Sequence, residues 1–229
     1  MKRIMLLFIA LCIIPCALYA YTSNVAEVGI VALPSQEISK QAKQFNKSIY
    51  NYLLKQDAQI INAANIPHLS FYQLAIPVDR LNDLEKSLSS IAYQTKSFSI
   101  NLDNKLKIQG GNIFWNAIDF SAFKELENTI LSSNITDLRQ GYLRQLEDPK
   151  TLSAEKQQLV KQYGIYWIKK LATPHITIFY DIPEQDKGLA GYLKQLNVAT
   201  RKFTVKYLAY GLLDYSGNVV KIIKAYPLK

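Results

Sequence analysis

The sequence predicts an α+β fold made by duplicating one unit, and three observations carry that prediction. The tetrapeptide Pro67-His68-Leu69-Ser70 returns as Pro174-His175-Ile176-Thr177, around the only two histidines of the 229-residue chain. Each copy opens a short run of β-branched and aromatic residues that a proline closes, Phe71 to Ile76 before Pro77 and Ile178 to Ile182 before Pro183. Each run is followed by an amphipathic stretch and a pair of strand-like segments, so one order of elements occurs twice.

The chain opens on a segment of different character. Lys2 and Arg3 precede an apolar stretch from Ile4 to Leu18, broken by Pro15, and Leu18-Tyr19-Ala20 ends it on a small residue. This reads as a secretory signal peptide over residues 1–20, which implies a periplasmic or secreted protein. The apolar run, about fifteen residues, falls short of the roughly twenty that span a bilayer; anchoring through an uncleaved segment is the alternative. Cys12 and Cys16 both lie in this segment, so residues 21–229 hold no disulfide and no thiolate metal site. Those residues are enough for one domain with a full core, read here as two pseudo-symmetric lobes.

Val25 to Leu33 is short and β-branched and stops at Pro34: a strand. Ile38, Ala42, Phe45, Ile49 and Leu53 then recur at helical spacing behind Ser35, a suitable N-cap. His68 to Ile76 is the next strand, and Leu81, Leu84, Leu88 and Ile91 mark a helix over about Val78 to Gln94. Phe98 to Leu102 and Leu106 to Ala117 read as two strands, with Asp103-Asn104 as their turn and Gly110-Gly111 as a bulge or bend. Phe120 to Gln162 is expected to be mainly helical in up to three pieces, with breaks at Ser132-Ser133-Asn134 and Asp148-Pro149. The second series comprises a strand at His175 to Ile182, a helix from Glu184 to Leu196, and strands at Phe203 to Leu213 and Val219 to Tyr226.

The 27 basic residues outnumber 18 acidic ones, a formal charge of +9. Loss of Lys2 and Arg3 leaves 25 against 18, or +7. The lysines are dispersed without a block of like charge, which favours anionic partners generally and equally suits a solvated basic surface.

Side chains alternate faces along a strand, so His68 shares a face with Ser70, and His175 with Thr177. If the two strands occupy equivalent places, two imidazoles and two hydroxyls converge on one cleft. Such a set suits in-line displacement at a phosphodiester: one imidazole accepts a proton, the other donates one, and the hydroxyls bind phosphoryl oxygens. Two histidines without a helical His-x-x-x-His spacing or an acidic cluster make poor metal ligands, so neither metal nor cofactor is expected. Trp115, Tyr166 and Trp167 are candidates for stacking on a nucleobase. For Trp115 core packing is the better reading, since it sits in an apolar strand between Phe114 and Asn116. Lys169 and Lys170 could reach a phosphate or form a solvated pair.

With these motifs the chain resembles the 2H phosphoesterase superfamily, the LigT-like 2′-5′ RNA ligases and cyclic phosphodiesterases named for two His-x-Ser/Thr motifs in a duplicated fold. The resemblance covers essentially all of residues 21–229, and Pro174-His175-Ile176-Thr177-Ile178 is similar to the second motif of that group. It implies two antiparallel sheets forming a central cleft flanked by helices. It also implies metal-independent action on a 2′,3′-cyclic phosphate or 2′-5′ linkage of a nucleotide or short RNA, by a monomer. His68 and His175 would be the acid/base pair, with Ser70 and Thr177 as phosphate ligands. Where many members carry a basic residue shortly after the second hydroxyl, this chain has Phe179-Tyr180. The alternative from another class is an envelope protein that keeps the pocket to bind a nucleotide or phosphate without turning it over.

Overall fold

The computed structural model describes residues 24–56, 66–146, 148–182 and 188–229. The signal-peptide segment and Pro183 to Lys187 lie outside the described residues. In chain order the main elements are β1 (Val25–Ala32), α1 (Gln36–Lys55), β2 (Leu69–Pro77), α2 (Leu81–Gln94), β3 (Phe98–Leu102), β4 (Lys107–Gln109) and β5 (Asn112–Asp119). Then come α3 (Ser121–Leu131), α4 (Ala154–Tyr163), β6 (His175–Phe179), α5 (Leu189–Leu193), β7 (Lys202–Val205), β8 (Tyr207–Leu213) and β9 (Val219–Pro227).

Local chemistry explains the elements closest to expectation. The Ser35 hydroxyl accepts the Ile38 N–H at 3.3 Å, and α1 buries Ile38, Ala42, Phe45, Ile49 and Leu53 along one stripe. Gly110 and Gly111 both adopt positive φ, 56° and 74°. They form the two-residue turn of a β4–β5 hairpin rather than a bulge, because consecutive left-handed residues reverse the chain in register with strand twist.

Three further expectations are corrected. The predicted strand Phe203 to Leu213 breaks at Lys206, whose carbonyl accepts the Leu228 N–H, and the chain changes sheet there. The helix expected from Glu184 to Leu196 is observed only as α5, its start falling outside the described residues. The middle piece of the 120–162 region is not a helix beyond a 3-10 turn at Asn134–Leu138. It runs along β2 as an extended cover, with Gln140 N–H bonded to the Ala75 carbonyl and the buried Glu27 carboxylate receiving the Arg144 N–H and Nε–H.

Among the described residues all strand pairings are antiparallel. One sheet has the order β2-β1-β8-β9, the other β4-β5-β3-β7, with β6 pairing β5. The two sheets therefore do not correspond to the two halves of the sequence. The strands following the first histidine motif, β3 to β5, join the sheet of the second motif's strand, while β8 and β9 return to the first. Helices cross over as well: α1 packs on β6 and α3 on β2. Phe45 meets Trp115 edge-on, and Phe71 stacks on Phe123 with centroids 4.1 Å apart.

Candidate active site

The two motif strands are built alike. A residue before proline is biased to extended backbone, so Ile66 and Thr173 aim their carbonyls along the chain toward the histidine two places on. His68 Nδ1 lies 2.6 Å from the Ile66 oxygen and His175 Nδ1 2.8 Å from the Thr173 oxygen. A carbonyl can only accept, so each ring carries its proton on Nδ1 and leaves Nε2 for chemistry.

A cavity of about 440 Å³ gathers His68, Ser70, His175 and Thr177. Both sheets contribute to it, β2 and the β8–β9 turn (Ser216, Gly217) from one, β5, β6 and the β4–β5 turn (Gln109, Gly110) from the other. Tyr166 and Trp167 line it too. Trp115 does not: it is 0% exposed, and its indole N–H donates to the Asp103 carbonyl at 2.8 Å. The stacking role offered for Trp115 is therefore corrected to a core role, because β5 turns residue 115 toward Phe45 and away from the face holding Phe114 and Asn116. Replacing Trp115 with phenylalanine is expected to cost about 2 kcal/mol, through the orphaned Asp103 carbonyl and the lost ring volume. Urea unfolding measures that loss, while ligand affinity at the cavity stays unchanged.

Strict alternation would place Tyr72 and Phe179 in the cavity next to the hydroxyls. It does not hold in either strand. Ile30 pairs with Tyr72 but Val31 with Ser70, and Ile113 pairs with Phe179 but Phe114 with Thr177, so Phe71 and Ile178 are extra residues of matching bulges. Each bulge reverses the alternation, and the residues three places beyond the hydroxyls, Gln73 and Tyr180, line the cavity. Tyr72 turns inward and donates its hydroxyl to the Tyr163 carbonyl at 2.6 Å. The signal was legible as two consecutive apolar residues after each hydroxyl residue, Phe71-Tyr72 and Ile178-Phe179, where alternation calls for one.

Gln73 ties the walls together. Its Nε2 donates to the Gly217 carbonyl at 2.9 Å, and its Oε1 accepts from Gln145 Nε2 at 3.0 Å and Trp167 Nε1 at 3.3 Å. Gly217 holds φ 80°, a conformation that side chains disfavour, and a Cβ there would push the Gln145 amide away from Gln73. On α3, Lys124 and Glu127 also line the cavity and pair at 2.9 Å. Neither Lys169 nor Lys170 lines it: Lys169 Nζ donates to the Tyr163 hydroxyl at 2.5 Å, and Lys170 pairs with Glu155 at 2.6 Å.

Burial dominates the electrostatics. Desolvation pushes His68 down to about 4, opposed by the Ile66 carbonyl and assisted by the His175 charge. His175 is lowered as well, again by burial, with the Thr173 carbonyl working against it. Its ring lies 4.0 Å from the Phe114 centroid at 34°. Burial raises the Glu127 carboxyl, against the pull of Lys124. Among the described residues no three His, Cys, Asp or Glu side chains cluster as a metal site would require.

No protein-family model matches the sequence, and no curated protein matches it. Among solved structures, TT0787 of Thermus thermophilus is similar over 88% of this chain and 97% of its own, at 15% identity and a TM-score of 0.52. E. coli LigT complexed with NADP+ is similar over 90% of this chain and 99% of its own, at 13% identity and a TM-score of 0.49. The complex of LigT with 3′-AMP covers 90% and 99%, at 12% identity and a TM-score of 0.43. At these identities the likeness speaks to architecture alone. The chain has the fold of TT0787, α+β as the sequence pattern predicted, with the two antiparallel sheets flanked by helices that the resemblance implied.

Proposed function

We propose that the protein is a 2H phosphoesterase, a metal-independent phosphodiesterase that opens a 2′,3′-cyclic phosphate or cleaves a 2′-5′ linkage of a nucleotide or short RNA. The observation that carries the reading is the paired presentation of two imidazoles, each held through Nδ1 by the carbonyl two residues back, in one cavity with Ser70 and Thr177. His68, kept neutral by burial, takes a proton from the attacking water as its oxygen bonds to phosphorus. His175, protonated against the Phe114 ring face, gives a proton to the leaving ribose oxygen as the P–O bond breaks. The Ser70 and Thr177 hydroxyls hydrogen-bond the non-bridging oxygens where charge develops. Tyr166 and Trp167 offer aromatic surface beside these groups for a base.

Incubation with each 2′,3′-cyclic nucleotide in excess chelator, followed by product identification, tests the reading. A nucleoside monophosphate is expected at an undiminished rate. Recovery of intact ligand that nonetheless binds would instead favour a nucleotide-binding protein. Export through residues 1–20 belongs to the same proposal, and N-terminal sequencing of the protein from a periplasmic or culture fraction is expected to begin at Tyr21.

A further inference from the structure

Lys169 is not glycine, yet its φ is 53°, a left-handed conformation that side chains disfavour. Both of its main-chain polar groups are engaged from α3. Lys124 Nζ donates to the Lys169 carbonyl at 2.7 Å, and the Lys169 N–H faces the Glu127 carboxylate, favouring its charged form. Lys124 Nζ also pairs with the Glu127 carboxylate, 3.2 Å from Oε1 and 2.9 Å from Oε2, so one ammonium bridges the carboxylate and the strained turn. Glu127 is only 2% exposed. A buried ion pair is a poor way to stabilise a core, since desolvation offsets most of its attraction. It is, however, what a strained turn needs, a donor for its carbonyl and an acceptor for its N–H.

The segment so held is the cavity wall. Two residues before Lys169 stands Trp167, and four residues after it stands Thr173, whose carbonyl orients His175. We infer that Lys124 and Glu127 are positioning residues that clamp the turn at Lys169, and through it the aromatic wall and the His175 ring. The inference rests on the phosphodiesterase reading for its kinetic consequences but not for its structural one.

The test combines turnover of a 2′,3′-cyclic nucleotide with acrylamide quenching of tryptophan fluorescence in the full-length protein. Trp115 is shielded in the core, so added quenching reports Trp167. Glu127→Gln is expected to lower kcat about tenfold, with a smaller change in KM, because small misplacements of reacting groups are costly, and to increase quenching. Lys169→Gly in that background is expected to recover most of the lost kcat, since glycine adopts left-handed φ without strain. Should Glu127→Gln fold poorly, Lys124→Gln probes the other half of the clamp and should move both readouts the same way. Unchanged quenching in the folded variants would overturn the inference, whatever the activity. So would Lys124→Gln raising KM alone, which would make Lys124 a substrate ligand. If the wild-type protein turns over no cyclic nucleotide, the phosphodiesterase reading fails while the quenching result still decides the clamp.

Discussion

Replacing either His68 or His175 with alanine is expected to lower kcat on a 2′,3′-cyclic nucleotide by about a thousandfold, within the range that a positioned acid or base supplies. The two losses should not add in the double variant, because proton acceptance and donation belong to one displacement. Each substitution also leaves a carbonyl, Ile66 or Thr173, without its Nδ1–H donor, at a cost of about 1 kcal/mol. Circular dichroism and urea unfolding alongside the kinetics separate that small destabilisation from the catalytic loss. Ser70→Ala and Thr177→Ala should fall about tenfold each, since a single neutral hydrogen bond to developing charge is worth less than a proton transfer. Substantial turnover by the folded double histidine variant would rule out the acid/base assignment.

The second large effect is pH dependence, and it has a kinetic and a thermodynamic face. In the proposed mechanism His68 works as base when neutral, so activity is expected to rise as pH passes upward through about 4. The acid works when protonated, so activity falls as pH passes through the value of His175, which burial places below 6.5. The kcat/KM profile is therefore a bell whose maximum lies on the acid side of 6.5 and declines through neutrality. An optimum at about pH 8 would contradict the proposed pairing of His68 as base with His175 as acid.

Stability moves in the other direction over part of the same range. An unfolded histidine protonates near 6.5, while folded His68 resists until about 4, so the unfolded chain binds the proton first between those limits. The contribution is fully present above 6.5 and is lost as pH falls, reaching about 3 kcal/mol by pH 4 for a shift of this size. Carboxylates titrate in this window too. The discriminating measurement is the difference in urea midpoint between about pH 7 and about pH 4.5 for the wild type and for His68→Gln. The variant should lose markedly less stability than the wild type on acidification.

The residues proposed to carry the chemistry stood out in the chain because they are repeated, and the structure brings them to one cavity. Proline before each histidine and a hydroxyl two places after it are local features, and local backbone preference turns them into a fixed tautomer and a shared strand face. Fold class followed from the same duplication, and α1 followed from its stripe and its Ser35 cap. Pairing between distant strands was legible only as a hint, the two consecutive apolar residues after each hydroxyl residue, because the partner strand decides whether they form a bulge. Bulges at Phe71 and Ile178 exist only against β1 and β5, and they bring Gln73 and Tyr180 into the cavity in place of their neighbours. The burial of Trp115 depends on which face of β5 meets α1.

Sequence alone determined the two imidazoles, the two hydroxyls and the class of fold, since motif and periodicity act over a few residues. Tertiary structure decided which halves share a sheet, how deeply the imidazoles are buried, and that α3 supplies Lys124 and Glu127 to the wall leading into His175. Register, desolvation and a strained turn at Lys169 are properties of contacts between segments far apart in the chain, and no local pattern encodes them.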